Sequence, residues 1–400
     1  MLSPNTKSFP FFNLFVTNTM QAPFLLDHGS FYMKSGLSEP NLSMSCIGHS
    51  YYPHVIHGEQ FISQNAYKHK GILSIEYPSD TENYSQLMLL WNYLYEKHVV
   101  QSDQYPLFYT LPPLYATKHV DQLMQIFMEQ YNHPAISMVT QPILSLYGLG
   151  KTSGIVLDIG HSKTSCMALY QGHKLTNTLI QTDLGGKKVT EYLQLLLRKQ
   201  GHSFTSSSEF LIVNDMKKSC QIVKDVVKST REYISSGAQT QYTLPDGQVI
   251  DMGMTHFMAP ELLFDPKLMY MTCPSVTDHL LHSLLSADMD IRPELAENIV
   301  VCGGSSLFLN TGDRLLHDVK QKYATHTAVS SLGTTIGQVP RVQSMNQSPN
   351  LSLKIHLPPE RLYSSWVGAQ IISQLDTFKH FWVTKEEYTE DPYLIHKRIF

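Results

Sequence analysis

The sequence predicts an α/β fold, with two related lobes facing each other across a cleft. Three observations carry that expectation. Compact apolar runs stop at an acid or a glycine, as buried strands of mixed sheets do. Between them lie stretches with apolar residues at three-and-four spacing, as amphipathic helices require. One strand-and-turn design, an aspartate two places ahead of a glycine, occurs at Asp27 and again at Asp158.

The expected strands are residues 24–27 (FLLD), 154–158 (GIVLD) and 299–302 (IVVC). Helical periodicity covers 84–96 (YSQLMLLWNYLYE), 120–130, 189–199 and the segment from 211 to about 229. Leu244-Pro-Asp-Gly247 reads as a hairpin turn between two short strands, because Asp-Gly supplies the positive φ of a tight turn. The alternation of strands and helices implies an α/β architecture. Residues 326–350 are rich in Ser, Thr, Gln, Asn and Pro and show no period. They are expected to form a mobile surface loop, the alternative being one extra strand pair.

A chain of 400 residues with 42% hydrophobic and 16% charged residues can bury a large core. The net charge of -4, with no basic block, argues against nucleic acid as a direct partner. The 19 histidines are scattered without metal-ligand spacing. The 5 cysteines are odd in number and form no C-x-x-C pair, so a reducing, intracellular setting is expected. No apolar run is long enough to cross a bilayer. Residues 9–16 (FPFFNLFV) are greasy, but Pro10 and Asn13 interrupt them. They fit either a docking segment or a disordered extension with local packing.

Three strand-turn units carry candidate chemistry. In Asp27-His-Gly-Ser30, backbone N–H groups around Gly29 point at whatever lies beyond the strand tip. Ser30 adds a hydroxyl, Lys34 a point charge suited to phosphate, and Asp27 a hard oxygen suited to hydrated magnesium. Asp158-Ile-Gly160 repeats the design. Cys302-Gly-Gly-Ser-Ser306 places two glycines where a flat ring can approach the backbone. Singly, such turns are common and usually ordinary. Together they suggest a nucleotide cleft.

The residues around these units resemble the actin family over nearly the whole chain. Asp27-His-Gly-Ser30 with Lys34 is similar to the family's first phosphate loop, and Gly150-Lys-Thr-Ser-Gly-Ile-Val-Leu-Asp158 to its second. Gln141-Pro-Ile-Leu-Ser-Leu-Tyr147 resembles the hinge helix, and Gly71-Ile-Leu-Ser-Ile-Glu-Tyr-Pro78 the strand leaving the outer small subdomain. Leu244-Pro-Asp-Gly-Gln248 and Pro358-Pro-Glu-Arg361, with Tyr363, Trp366 and Gly368, follow in the family's order. So do Trp382-Val-Thr-Lys-Glu-Glu-Tyr388 and Ile395-His-Lys-Arg-Ile-Phe400. Sugar kinases and chaperone ATPases share the phosphate loops but not the last blocks.

The resemblance implies an actin-like ATPase fold, two lobes of duplicated mixed sheet plus helices around a nucleotide cleft, with a small lobe over 20–148 (outer part about 45–77). A large lobe follows over 149–363 (outer part about 185–271), and 364–400 return to the small lobe. Met20 falls where an actin begins, which makes 1–19 an extension. It also implies ATP or ADP with magnesium. Asp27 and Asp158 would hold the metal through water, Gly29, Ser30, Lys34 and Gly160 the phosphates, and Gln141 would sit near the attacking water. Lys217, Gly303, Gly304, Ser305 and Phe308 would line the nucleoside end.

Five positions depart from the family pattern. His161 replaces an acid and Ser162 a glycine of the second loop. Lys218 replaces the ribose-binding glutamate, Leu362 the lysine that packs on adenine, and Ser165 the histidine that organises the attacking water. The expectation is a clasp that binds nucleotide with little or no hydrolysis; an essentially empty site and a slow ATPase are the alternatives.

For partners, the resemblance points to a groove between the lobes lined by Tyr147, Thr152, Ile372, Leu375, Phe378 and Phe381, unless these simply pack internally. Only nine residues separate Gly48 from Gly58, where actin has a longer loop that reaches into the next subunit. Lys267-Leu-Met-Tyr-Met271 keeps apolar side chains on the plug-like loop. Protein partners are therefore expected, with no membrane and no homopolymer. Gly201-His-Ser-Phe204 and the Trp366-Val-Gly-Ala block resemble the testis-type actin-related proteins of the sperm head. A nuclear subunit of a chromatin-remodelling complex is the alternative.

Overall fold

The computed structural model describes residues 22–50, 61–78, 83–332 and 351–399. The chain opens with an antiparallel meander, β1 (Phe24–His28), β2 (Tyr32–Gly36) and β3 (Asn41–Met44). Strands β4 (Ile47–Ser50), β5 (Phe61–Ile62) and β6 (Leu73–Glu76) form a separate three-stranded sheet with β6 at an edge. Strands β7 (Leu107–Leu111) and β8 (Ala135–Thr140) then return beside β1, in parallel.

The second half repeats this plan. Strands β9 (Gly154–Ile159), β10 (Thr164–Tyr170) and β11 (His173–Thr182) form another antiparallel meander. A hairpin of β12 (Gln241–Thr243) and β13 (Val249–Asp251) lies further out. Strands β14 (Ile299–Cys302) and β15 (Ile355–His356) join β9 in parallel order, while β16 (Val383–Thr384) closes the first sheet against β8. The two large sheets run β16-β8-β7-β1-β2-β3 and β11-β10-β9-β14-β15. Each is a meander whose first strand pairs in parallel with a later one, so the duplication expected from the two aspartate turns is a duplication of whole sheets.

The helices follow from local signals. Asn83 accepts the Gln86 amide at 3.3 Å and starts helix Tyr84–His98, and Val99, in a left-handed conformation, ends it. That helix buries Leu87, Leu90, Trp91 and Leu94 against β1 and β7. Ser206 and Glu209 form a capping box for helix Ser207–Lys217. The single helix expected from 211 to about 229 is two, Ser207–Lys217 and Val226–Ser236. The chain between them turns aside because Gln221 bridges Leu309 and the Ile222 amide donates to the Leu309 carbonyl at 3.1 Å. Asp225 then caps the new helix through the Lys228 amide. The periodic segment expected over 120–130 is helix Thr117–Gln125 running into a wider turn, Ile126–Gln130.

Helix Thr311–Leu332 runs past the expected start of the loop at 326; its early residues are helical, and 333–350 lie outside the described residues. Residues 1–19, including 9–16, and most of the short loop before Gly58 lie outside them as well. No helix among the described residues is long and apolar enough to cross a membrane.

Candidate functional site

The two aspartate turns meet tip to tip. In the first, the Gly29 amide donates to the Tyr32 carbonyl at 3.1 Å; in the second, the Gly160 amide donates to Lys163 at 2.9 Å. A Cβ would stand 2.7 Å from the Tyr32 oxygen at Gly29 and 2.8 Å from the Lys163 oxygen at Gly160, so the same crowding selects glycine in both hairpins. Across the gap, the Ser162 amide donates to Ser30 Oγ at 3.3 Å.

At the foot of the cleft Asp27 is 1% exposed and fully engaged. It accepts from Lys34 Nζ at 2.8 Å, Thr110 Oγ1 at 2.6 Å and Gln141 Nε2 at 2.9 Å. Burial alone would raise this carboxyl, but the Lys34 ammonium and these three donors outweigh it and hold the group below the usual carboxylate value. Asp158, at the matching place in the second sheet, differs. Its Oδ1 is buried and finds no hydrogen-bond partner among the described residues. Burial pushes its pKa up to about 6, with Lys34 opposing and Asp27 adding to the shift. The floor thus holds two carboxylates and one ammonium, and the ammonium bonds to Asp27.

The third unit is locked by a distant segment. The Gly303 amide donates to the Arg361 carbonyl at 3.1 Å, and Arg361 Nε donates to Ser306 Oγ at 3.1 Å. Gly303 has φ 88, and a Cβ there would lie 2.2 Å from Asp158 Oδ1, so only glycine leaves room for that oxygen. Ser305 Oγ donates to the Gly160 carbonyl at 2.7 Å, tying this turn to the second phosphate-loop candidate. A Cβ on Gly304 would meet Leu362 Cδ1 at 3.4 Å. Phe308 is buried in the core of the second lobe.

Lys217 comes to the same wall, but its donors are taken by the Gly186 carbonyl at 2.8 Å, Thr190 Oγ1 at 2.9 Å and Asn214 Oδ1 at 2.8 Å. Burial lowers its pKa to about 7. Its neighbour Lys218 donates to Asp215 Oδ1 at 2.7 Å and lies beside Tyr32 of the first half. The His161 ring packs 4.5 Å from Phe31, and burial, with Lys217 and Lys187 nearby, lowers its pKa to about 3.

Compared with known proteins, the chain matches the actin family model over residues 19–400. The chain belongs to the actin family. It is 34% identical over 395 residues to an actin-like protein of Neurospora crassa, covering 94% of this chain and 98% of that one. The relatedness spans both lobes and agrees with an actin-related protein of α/β actin-like fold.

Actin-family proteins generally bind ATP or ADP with magnesium. At the phosphate and metal end the residues of this chain fit such a group: paired glycine turns, an ammonium, and a buried carboxylate oxygen with a vacant acceptor position. Position 218, where the resemblance puts a ribose-binding acid, holds a lysine, a cation that cannot accept a hydrogen bond from a hydroxyl and that pairs with Asp215. Thr110 was not found by motif reading. Its only signal is a lone polar residue in the otherwise apolar strand β7, between β1 and β8.

At the other end of this actin-family chain, the expected groove residues separate into floor and rim. Ile372 and Phe378 are buried in the core shared by the two sheets, with Phe378 5.6 Å from Phe108 and stacked on Phe381 at 5.1 Å. Tyr147 and Phe381 pack partly against that core. Thr152 is exposed and Leu375 is 49% exposed. The spacing of three along 372–381 reflects the end of helix Ser364–Ser373 followed by a 3₁₀ turn, Asp376–Phe381. On the plug-like loop, Tyr270 is 97% exposed.

Proposed function

We propose that this actin-family protein is a structural, partner-binding component of a cytoskeletal assembly. In this reading its cleft holds ATP or ADP with magnesium as a clasp and carries out little or no hydrolysis. Asp27 and Asp158 hold the metal through water; Gly29, Ser30, Lys34 and Gly160 meet the phosphates; Gly303, Gly304 and Ser305 form the shelf at the nucleoside end. The nucleotide supplies a polyanion and a divalent cation that both lobes can grip.

The observation that carries the clasp reading is the disposition of Gln141. Its amide nitrogen donates to Asp27, and Ser165, which stands where the resemblance puts the water-organising histidine, has a short side chain on β10, paired in register with Asp158. Phosphoryl transfer to water depends on positioning the nucleophile. Here one side chain is left to do it.

Partners bind through the rim of Tyr147, Thr152, Leu375 and Phe381 above the Ile372 and Phe378 floor, the geometry that receives an apolar helix. A homopolymer needs both ends of the subunit to match repeatedly, and the shortened stretch before Gly58 argues against one. The likeness of residues 201–204 and 366–369 to testis-type relatives favours the sperm-head cytoskeleton, in the cytoplasm beside the nucleus.

Purified protein in actin-polymerising salt with magnesium and labelled ATP tests this reading. The expected outcome is bound nucleotide, no pellet and no turnover. Pelleting of the protein alone, or hydrolysis at the rate of filamentous actin, overturns it. Affinity capture from native tissue places the assembly, and recovery of remodelling subunits alone would move it to the nucleus.

A further inference from the structure

Helix Ser207–Lys217, from the second half of the chain, seats directly on the outer sheet of the first half. The edge strand β6 offers backbone groups that its own sheet leaves open. Ser207 Oγ accepts the Ile75 amide at 3.1 Å, and Ser208 Oγ donates to the Leu73 carbonyl at 3.1 Å and to the Lys70 carbonyl. Leu211 is fully buried, and it is buried among Phe31, Phe61, Leu73 and Ile75 of the other half. At the last turn Asp215 accepts the Tyr67 hydroxyl and stands 3.7 Å from Lys70 Nζ.

We propose that this helix is a latch that keeps the cleft mouth closed whether or not a nucleotide lies between the lobes. All of these contacts run from protein to protein. Together they satisfy an exposed sheet edge, bury an aliphatic side chain and pair a carboxylate, which are the ordinary means of making an interface persist. A closure that waited for nucleotide would leave Leu211 in water and the Ile75 amide without this acceptor until the nucleotide arrived. Nucleotide then enters and leaves only when the helix lifts, so exchange is paced by the latch. The inference rests on the clasp reading of the cleft and assigns the clasping to the chain itself.

Hydrogen exchange on the full chain tests it, comparing magnesium-ATP with protein stripped by chelator and apyrase. Protection of the Ile75 amide is expected to change by less than about twofold on stripping; a rise in exchange of about tenfold or more overturns the proposal. Leu211→Ser is expected to speed exchange at Ile75 by about tenfold or more in both states and to speed release of a fluorescent ATP analogue, with the amides of β9 and β14 still protected. Ser207→Ala, which removes only the acceptor, keeps the test usable where Leu211→Ser does not fold: it should deprotect Ile75 with the melting temperature nearly unchanged. Unaltered Ile75 exchange in a folded variant overturns the latch. A stripped protein that opens yet neither pellets nor hydrolyses ATP removes the latch and leaves the proposed function standing. Pelleting of a protein that stays closed does the reverse.

Discussion

Lys34 lies 2.8 Å from Asp27 and bonds to that carboxylate, while Asp158 keeps a buried oxygen without a donor. An unsatisfied buried acceptor of this kind costs about 1–3 kcal/mol. A hydrated divalent cation between the two aspartates would remove that cost. Magnesium with a nucleotide is therefore expected to raise the melting temperature, and Asp158→Asn to abolish most of the rise. Thermal melts with and without chelator check this. An Asp158→Asn protein that responds to magnesium as the wild type does would refute the assignment.

The crossing of helices Gln141–Tyr147 and Ser364–Ser373 depends on Gly368. A Cβ at that position would stand 1.8 Å from the Leu144 carbonyl oxygen, where helix Ser364–Ser373 crosses helix Gln141–Tyr147. Neither helix backbone can yield locally. Gly368→Ala is expected to cost about 3 kcal/mol or more, the upper range for overpacking, measured by denaturant unfolding. A loss under about 0.5 kcal/mol would show that the helices can separate freely.

His133 gives the fold an acid sensitivity. It is fully buried, hydrogen-bonded to the Tyr95 hydroxyl at 2.7 Å and to the Tyr105 carbonyl at 2.8 Å. Burial lowers its pKa to about 4. Between that value and the unfolded value of 6.5, the unfolded chain binds a proton that the folded chain refuses. Stability is therefore full above 6.5 and falls as pH drops toward 4, by up to about 1.4 kcal/mol per pH unit. His133→Gln should flatten that slope in a pH series of melting temperatures. An unchanged slope would assign the acid sensitivity elsewhere.

The buried and exposed residues of the proposed groove make opposite predictions. Phe378 is packed against Phe108, Phe381 and Trp382, so Phe378→Ala should cost about 3–5 kcal/mol of stability. Leu375 is half in solvent. Leu375→Asp should leave the melting temperature within a degree or two and still remove partners from a native-tissue capture. Retention of every partner by Leu375→Asp would move the docking site away from this rim.

Much of the fold was legible because it rests on local signals. Strands 24–27, 154–158 and 299–302 are apolar runs with a stop, and the Asp246-Gly247 turn appears where its positive φ is needed, at φ 87. The break after Lys217 was not legible. It is set by a bridge from Gln221 to Leu309, and no window around 221 contains that partner. The site divides along the same line. Asp27, Gly29, Asp158 and Gly160 announce themselves by spacing, whereas Thr110 and the donors and acceptors around Lys217 matter only once separate strands and helices converge. The rim of the groove was harder still, since a spacing of three cannot say which side chains turn inward.

Strand β15 re-enters the second sheet at a fixed place. Ile355 and His356 pair with Ile299 and Val300, the Lys354 amide donates to Ala296 at 3.0 Å, and Arg361 clamps the turn after β14. The chain that follows 333–350 is thus anchored by β15 and Arg361. The register of the sheet that carries Asp158 is therefore held by contacts outside that stretch, from Ile299 to Ile355 and from Gly303 to Arg361.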